Sequence, residues 1–237
     1  MSHLFLNKDI YSYQLDEQES VHVVKVLRLK EGDAITVTNG NGIVVSAQIT
    51  KADHRKCGYK IIEEHKHAKR SDAWIHIAIA PTKNIDRMEW MVEKCTEFGI
   101  DAFSFILTEH SERKILPVQK LEKTSFAAIK QSGQVFLPSF EELLPFQTFI
   151  NQDFSSYDYR MIACLDEDIK PTISKLIQPD KKSLILIGPE GDFTKDEVNK
   201  AVEKGFVKIS LGNSILRTET AAIASCHIVN LVQENNT

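Results

Sequence analysis

From Ala73 onward, short strand-like apolar runs alternate with longer stretches of helical period, and this alternation restricts the chain to an α/β fold. Runs at 74–80, 103–107, 159–165, 183–187 and 206–210 are followed by helical patterns at 84–98, 118–131, 168–178, 194–204 and 218–232. Five such β-α pairs predict a mainly parallel sheet with helices on both faces, whose ligands bind at the carboxyl ends of the strands. Boundary signals agree. Thr194 followed by Glu197 spells a capping box, and Gly99 and Gly205 stand where a helix ends in a left-handed residue.

The first seventy residues follow a different rule. Ala34–Thr38 and Ile43–Thr50 alternate apolar and polar residues, and Asn39-Gly40-Asn41-Gly42 between them supplies a hairpin turn. A third short strand is expected over Gly58–Glu63. One helix interrupts them, capped by Asp16 and carrying Val21, Val24 and Leu27 at helical spacing. The polar run Glu63–Arg70 reads as a solvated linker, which divides the chain into a small β-rich domain, 1–70, and a sheet domain, 71–237.

Charge and cysteine usage narrow the function. Residues 1–70 carry 11 Lys and Arg against 9 Asp and Glu, while residues 71–237 carry 18 against 24. Indiscriminate nucleic-acid binding calls for a basic chain, so any RNA contact here is local and dependent on shape. No apolar run approaches a membrane span, and the first residues lack the pattern of a secretory signal, which makes the cytoplasm the expected compartment. The four cysteines, at 57, 95, 164 and 226, form no C-x-x-C pair, so neither a zinc ribbon nor a dithiol couple is expected. Cys95 lies on the apolar stripe with Met91 and Val92, where packing is the simpler reading.

Familiar phosphate and hydrolase motifs are missing. No G-x-G-x-x-G follows the first strand of the sheet domain, and the sequence holds no P-loop, G-x-S-x-G or H-E-x-x-H pattern. Two unusual loops remain, each at the carboxyl end of an expected strand. One is Ile187-Gly188-Pro189-Glu190-Gly191-Asp192-Phe193-Thr194, and the other runs from Leu211-Gly212-Asn213-Ser214 through Ile215-Leu216-Arg217-Thr218-Glu219-Thr220. Each alone is compatible with ordinary strand-to-helix punctuation. Together they suggest two walls of one pocket.

These loops, with His22–Arg28 (HVVKVLR) and Asp86–Gly99 (DRMEWMVEKCTEFG), closely resemble the ribosomal RNA small subunit methyltransferase E family of the SPOUT superfamily. The resemblance covers almost the whole chain. It implies S-adenosylmethionine (SAM)-dependent methylation of N3 of a uridine in 16S rRNA of the small ribosomal subunit, without a metal. It also implies a C-terminal trefoil knot, rare among folds, a small N-terminal PUA- or OB-like β-barrel that helps hold RNA, and a homodimer formed through the C-terminal helix. Ala221, Ala222, Ile223, Ile228 and Val229 suit such an interface, and equally suit a helix buried in one core.

The chemistry that the resemblance implies, read onto these loops, gives candidate site residues. SAM is expected against Leu165, Ile187, Gly188, Glu190, Gly191, Leu211, Gly212, Ile215 and Leu216. Arg217 is the expected catalytic cation, stabilising the uracil anion left when N3 loses its proton; its rival role is a surface or capping arginine. Glu219 is either the proton acceptor or a structural partner of Arg217. RNA contacts fall to His22, Lys25, Arg28, Lys83, Arg87, Arg113 and Lys114, for which a partly buried imidazole or a solvated face is the competing reading. Two departures stand out. The family's GPEGG appears here with Asp192 in its last position, and Gln134 follows Gln131-Ser132-Gly133 where arginine is usual. A different RNA target and a non-catalytic RNA-binding or assembly factor remain as alternative functions.

Overall fold

The computed structural model describes residues 3–69, 72–165 and 171–234. They form two compact units, one comprising the first 69 residues with Ile129–Leu137 and the other the rest of the chain.

In the first unit, β1 (Leu4–Leu6) pairs parallel with β2 (Ala34–Thr38), and β2, β3 (Ile43–Lys51) and β4 (Gly58–Lys66) follow as an antiparallel meander. The alternation in β2 and β3 turns Ile35, Val37, Val45, Ala47 and Ile49 into a core closed by Phe5, Leu15, Val23 and Tyr59. Asn39 stabilises the hairpin by accepting the N–H groups of Asn41 and Ile43 at 2.8 and 3.0 Å. Residues 63–66, read from their polarity as linker, are instead the end of β4 paired with Ile43–Ser46. Their charged side chains are those of an exposed edge strand, which polarity alone does not distinguish from a loop. Segment Ile129–Leu137 joins this unit: the N–H of Leu137 donates to Gly40 O at 2.8 Å, and that of Gly42 to Val135 O at 3.1 Å.

Helix α1 (Glu17–Val21) begins where Asp16 accepts the Glu19 N–H at 2.8 Å. It runs directly into a π-helical turn, His22–Val26, closed by the Leu27 N–H on His22 O at 2.9 Å. Arg28 follows with φ +56°, a left-handed conformation uncommon for a residue with a side chain. The expected Val21, Val24 and Leu27 stripe is thus carried by a widened helix, a form that often marks functional positions.

The second unit holds a six-stranded, wholly parallel sheet. Its strands are β5 (Trp74–Ile79), β6 (Ala102–Leu107), β7 (Ser139–Pro145), β8 (Tyr159–Ala163), β9 (Lys182–Ile187) and β10 (Val207–Ile209), in the spatial order β10-β8-β9-β5-β6-β7. Helices α2 (Ile85–Glu97), α3 (Val118–Ser132), α4 (Phe146–Ile150), α5 (Ile173–Leu176), α6 (Lys195–Glu203) and α7 (Thr218–Glu234) complete the unit, although the last residues of α3 belong with the first one. Alternate residues of β5 feed opposite cores. Ile75, Ile77 and Ile79 pack with Met88, Met91 and Val92 of α2 and with Ala222, Cys226 and Val229 of α7. Ala78 and Ala80 face Phe146, Phe149, Phe154, Phe193 and Val198. A sheet buried on both faces explains the near-continuous apolar runs of its central strands.

Strand β7 and helix α4 had no counterpart in the sequence reading, and neither did β1. β7 is largely exposed and lacks clean alternation, and the single turn of α4 is too short to show a period. The helical pattern over 168–178 resolves into the four residues of α5, with 168–170 outside the described residues. On α7, Ala221, Ala222 and Val229 follow the rival reading, buried in this chain's own core, while Ile223 and Ile228 are half-buried. No helix among the described residues is long and apolar enough to cross a membrane.

Candidate cofactor and active site

Because all six strands run the same way, the loops after β5, β6, β8, β9 and β10 leave one edge of the sheet. The strand order reverses between β5 and β9, and this end of such a reversal is where open α/β sheets bind their ligands. The loop after β9 is held from three sides. Within it, the Asp192 N–H closes a tight turn on Pro189 O at 3.0 Å. From the β5 side, the Lys83 N–H donates to Glu190 Oε1 at 3.1 Å. From the β8 side, the Leu165 N–H donates to Asp192 Oδ2 at 2.7 Å. From the β6 side, His110 Nδ1 reaches Gly191 O at 2.9 Å and Asp192 O at 3.0 Å. Carbonyls only accept, so that nitrogen carries the proton. Hydrogen bonding to the Asp192 and then the Gly191 carbonyl raises the His110 pKa above its ordinary value.

Asp192 accounts for its own departure from the family motif. Its φ is +58°, the region glycine enters without penalty and Asp tolerates better than most residues. Its carboxylate uses both oxygens, Oδ1 accepting the Phe193 N–H at 2.8 Å while Oδ2 takes Leu165. At Gly191 the requirement is space, since a Cβ there would lie 3.1 Å from His110 Cβ. The loop ends at the Thr194–Glu197 capping box, both halves of which form, and Glu197 Oε1 also accepts the Glu109 N–H at 3.0 Å. Glu197→Ala removes the box and leaves the Glu109 amide unpaired. It is expected to lower stability by about 1–2 kcal/mol, read as a smaller urea midpoint at unchanged m.

The loop after β10 is built differently. Gly212 has φ +124°, and its N–H and carbonyl both meet the Ser210 hydroxyl, at 3.2 and 3.1 Å. Leu211 and Leu216 are half-buried against the core, whereas Ile215 is 79% exposed. Arg217 is exposed, and its guanidinium has no partner among the described residues, while its carbonyl takes the first helical hydrogen bond of α7 from Ala221 at 2.8 Å. Two residues later Glu219 is 4% exposed. Its Oε2 has no partner, and its Oε1 lies 3.7 Å from Arg87 Nε. A buried carboxylate with one unsatisfied oxygen is costly unless a ligand completes it.

The sheet edge therefore gathers Leu165, Ile187, Gly188, Glu190 and Gly191 on two adjoining loops, and Leu211, Gly212, Ile215, Leu216, Arg217 and Glu219 on a third. The cations expected to touch RNA differ in what they are free to do. Arg113 spends its donors on Thr82 O at 3.0 Å and Lys83 O at 2.5 Å, and Lys83 pairs with Glu112 at 2.8 Å. Both brace the loop after β5. Arg87 faces Glu219, so the partner of Glu219 is Arg87 where Arg217 was the structural partner considered; Lys114 is exposed. His22 and Lys25 lie in the first unit on the π-helical turn and Arg28 just after it, with the His22 ring packed edge-on against Phe5. His110 went unnoticed in the sequence, because its two acceptors lie 81 and 82 residues away and no local pattern announces them. Among the described residues no group of three or more His, Cys, Asp or Glu is placed to hold a metal ion.

Residues 69–230 match the family pattern described as an RNA methyltransferase domain, and residues 15–62 match the RNA methyltransferase PUA domain. The chain belongs to the RNA methyltransferase family. Its likeness extends over full length to the crystal structure of a probable rRNA-methyltransferase from Porphyromonas gingivalis, 38% identical, with 99% of this chain and 100% of that one covered and a TM-score of 0.91. The ribosomal RNA small subunit methyltransferase E of Synechocystis is 29% identical, over 90% of this chain and 71% of its own length. A Legionella pneumophila protein solved in complex with the bound cofactor SAM is 25% identical, with 93% and 91% covered and a TM-score of 0.82. The resemblance read from the GPEGD and ILRTET loops thus holds along the chain, and this RNA methyltransferase carries its braced loop and its Arg217–Glu219 segment on the same sheet edge.

Proposed function

We propose that this RNA methyltransferase transfers the methyl group of SAM to N3 of a uridine in 16S rRNA of the small ribosomal subunit. The observation that carries the reading is that the start of α7 holds both an exposed Arg217 with no partner among the described residues and a buried Glu219 whose Oε2 lacks a donor. The residues present fit SAM: Leu165 and Ile215, 63% and 79% exposed, offer apolar surface to its rings at the edge where parallel sheets bind ligands. The sulfonium supplies an electrophilic methyl carbon when bound. The protein must then align uracil N3 with that carbon and favour loss of the N3 proton. Arg217 holds the carbonyl oxygens onto which the negative charge spreads, and Glu219, two residues on, serves as the proton acceptor. As the N–CH3 bond forms, the C–S bond breaks and its electron pair returns to sulfur, which leaves as the neutral thioether S-adenosylhomocysteine.

His22, Lys25, Arg28 and Lys114 act as RNA contacts, and the left-handed backbone at Arg28 fits a residue held for use. The knot is supported by the passage of the chain after β10 beside Pro171, whose carbonyl accepts the Ser210 N–H at 3.0 Å, although the loop before it includes residues 166–170, outside the described residues. Homodimerisation through α7 is supported by Leu231, 43% exposed, alongside half-buried Ile223 and Ile228. The compartment is the cytoplasm, where ribosomal subunits mature.

Labelled SAM incubated with small subunits from cells lacking this protein, followed by mass-spectrometric mapping, is expected to place one methyl on uridine N3. Methyl on another RNA or another uracil atom defeats the substrate assignment. S-adenosylhomocysteine is expected to raise the melting temperature, since it binds the folded state alone. An unchanged melting temperature at saturating ligand favours a non-catalytic RNA-binding factor.

A further inference from the structure

We propose that His110 is a positioning residue for the methyl donor, its Nδ1–H clasping the Gly191 and Asp192 carbonyls so that the loop after β9 keeps the shape against which SAM binds. The inference rests on the functional reading above. Four observations carry it. First, one N–H faces two carbonyl oxygens at 2.9 and 3.0 Å, which fixes the imidazole tautomer and keeps the donor in both protonation states. Second, the ring is seated on Gly191 so closely that a Cβ there would come within 3.1 Å of His110 Cβ. Third, the other restraints on this loop act on the Glu190 and Asp192 side chains and on the Asp192 N–H, so His110 holds the carbonyl side of the Gly191–Asp192 step. Fourth, the residue before it is anchored independently, the Glu109 N–H donating to Glu197 at 3.0 Å, so the imidazole is presented from a fixed backbone.

His110 is exposed, so trimming its ring opens no core cavity and costs the fold little. What trimming releases is a pair of carbonyls, and with them the preorganisation of the loop. A ligand that needs the loop in one shape must then supply the ordering itself, which appears as weaker binding.

The test uses the full chain with S-adenosylhomocysteine as the calorimetric probe. His110→Ala is expected to weaken binding about tenfold, as loss of one N–H shared between two carbonyls implies. His110→Asn, whose amide nitrogen occupies nearly the place of Nδ1, is expected to stay within about twofold of wild type. With small subunits as substrate, KM for SAM rises in parallel in His110→Ala while kcat at saturating SAM and KM for the subunit hold steady. Unaltered affinity in His110→Ala overturns the proposal, as does failure of Asn to rescue, or a loss confined to kcat. A fall in melting temperature in the Ala variant as large as a core substitution would produce also overturns it, since the role would then be structural. If wild-type protein does not bind S-adenosylhomocysteine at all, the functional reading falls and this inference with it; binding by wild type with no change in His110→Ala removes this inference alone.

Discussion

Replacing Arg217 by Ala lowers kcat by about 10²–10³ while donor affinity stays near wild type, the size of effect seen when one preorganised donor to a developing anion is removed. The expectation follows from placement. Arg217 sits at the junction of the loop after β10 with α7, its carbonyl fixed by the first helical hydrogen bond and its guanidinium uncommitted. Such a side chain contributes little to folding, so its loss is not expected to change the melting temperature. A neutral uracil needs no cation, whereas the anion left after N3 deprotonation does, which confines the effect to the transition state. Lysine is a poor substitute, because a point charge does not reproduce the planar fork that spans neighbouring oxygens. Single-turnover rates and S-adenosylhomocysteine affinity, measured side by side, check the assignment. Equal losses of turnover and donor affinity would move Arg217 into the cofactor site.

Stability is expected to fall by about 2 kcal/mol between pH 7 and pH 5 through His76 alone. This residue of β5 is 4% exposed, and burial pushes its pKa down to about 4. Ser104 Oγ donates to Glu141 Oε2 at 2.7 Å, so His76 Nε2, 2.8 Å from Ser104, is the protonated nitrogen. Nδ1 is then the acceptor for the Tyr157 hydroxyl at 2.6 Å. The chain of bonds is complete only with neutral imidazole. Since the folded pKa lies below the ordinary His value of 6.5, the unfolded chain binds the extra proton first. The stability is therefore present above about pH 6.5 and is lost as pH falls towards 4, with a slope approaching 1.4 kcal/mol per pH unit inside that window. Urea midpoints at pH 7 and pH 5 measure the loss, and other titrating groups cancel in a comparison with His76→Gln. The variant should lose about 2 kcal/mol less than wild type across the same interval; an equal loss would show that His76 does not titrate as its burial requires.

Much of the sheet domain was legible because its signals are local. The helical pattern from 84 to 98 ends at Gly99, and the structure begins and ends α2 within a residue of that span, with Asn84 as its cap. Thr194 and Glu197 stand three residues apart and make the reciprocal bonds that such spacing permits. Illegible elements share one property: their stability comes from a neighbour. β7 is exposed along much of its length and exists because β6 offers it a parallel edge. The end of β4 is as charged as a linker and is held in register by Ile43–Ser46. The candidate site divides in the same way. Its loops announced themselves through glycine and proline and through their likeness to a known family, yet the pairing of Glu219 with Arg87 and the use of Arg113 as a brace were invisible from composition.

By itself the sequence determined the alternation of strand and helix, the hairpin at Asn39–Gly42, the caps and the two loops of the candidate site, since each depends on residues within a turn or two of one another. Tertiary structure alone decided the order β10-β8-β9-β5-β6-β7, and with it which loops meet. That order brings Leu165 to Asp192 across 27 residues and His110 to Gly191 across 81. Periodicity records which face of an element seeks burial, but not which neighbour will cover it. The choice among neighbours is settled only when the two apolar faces of the sheet are filled.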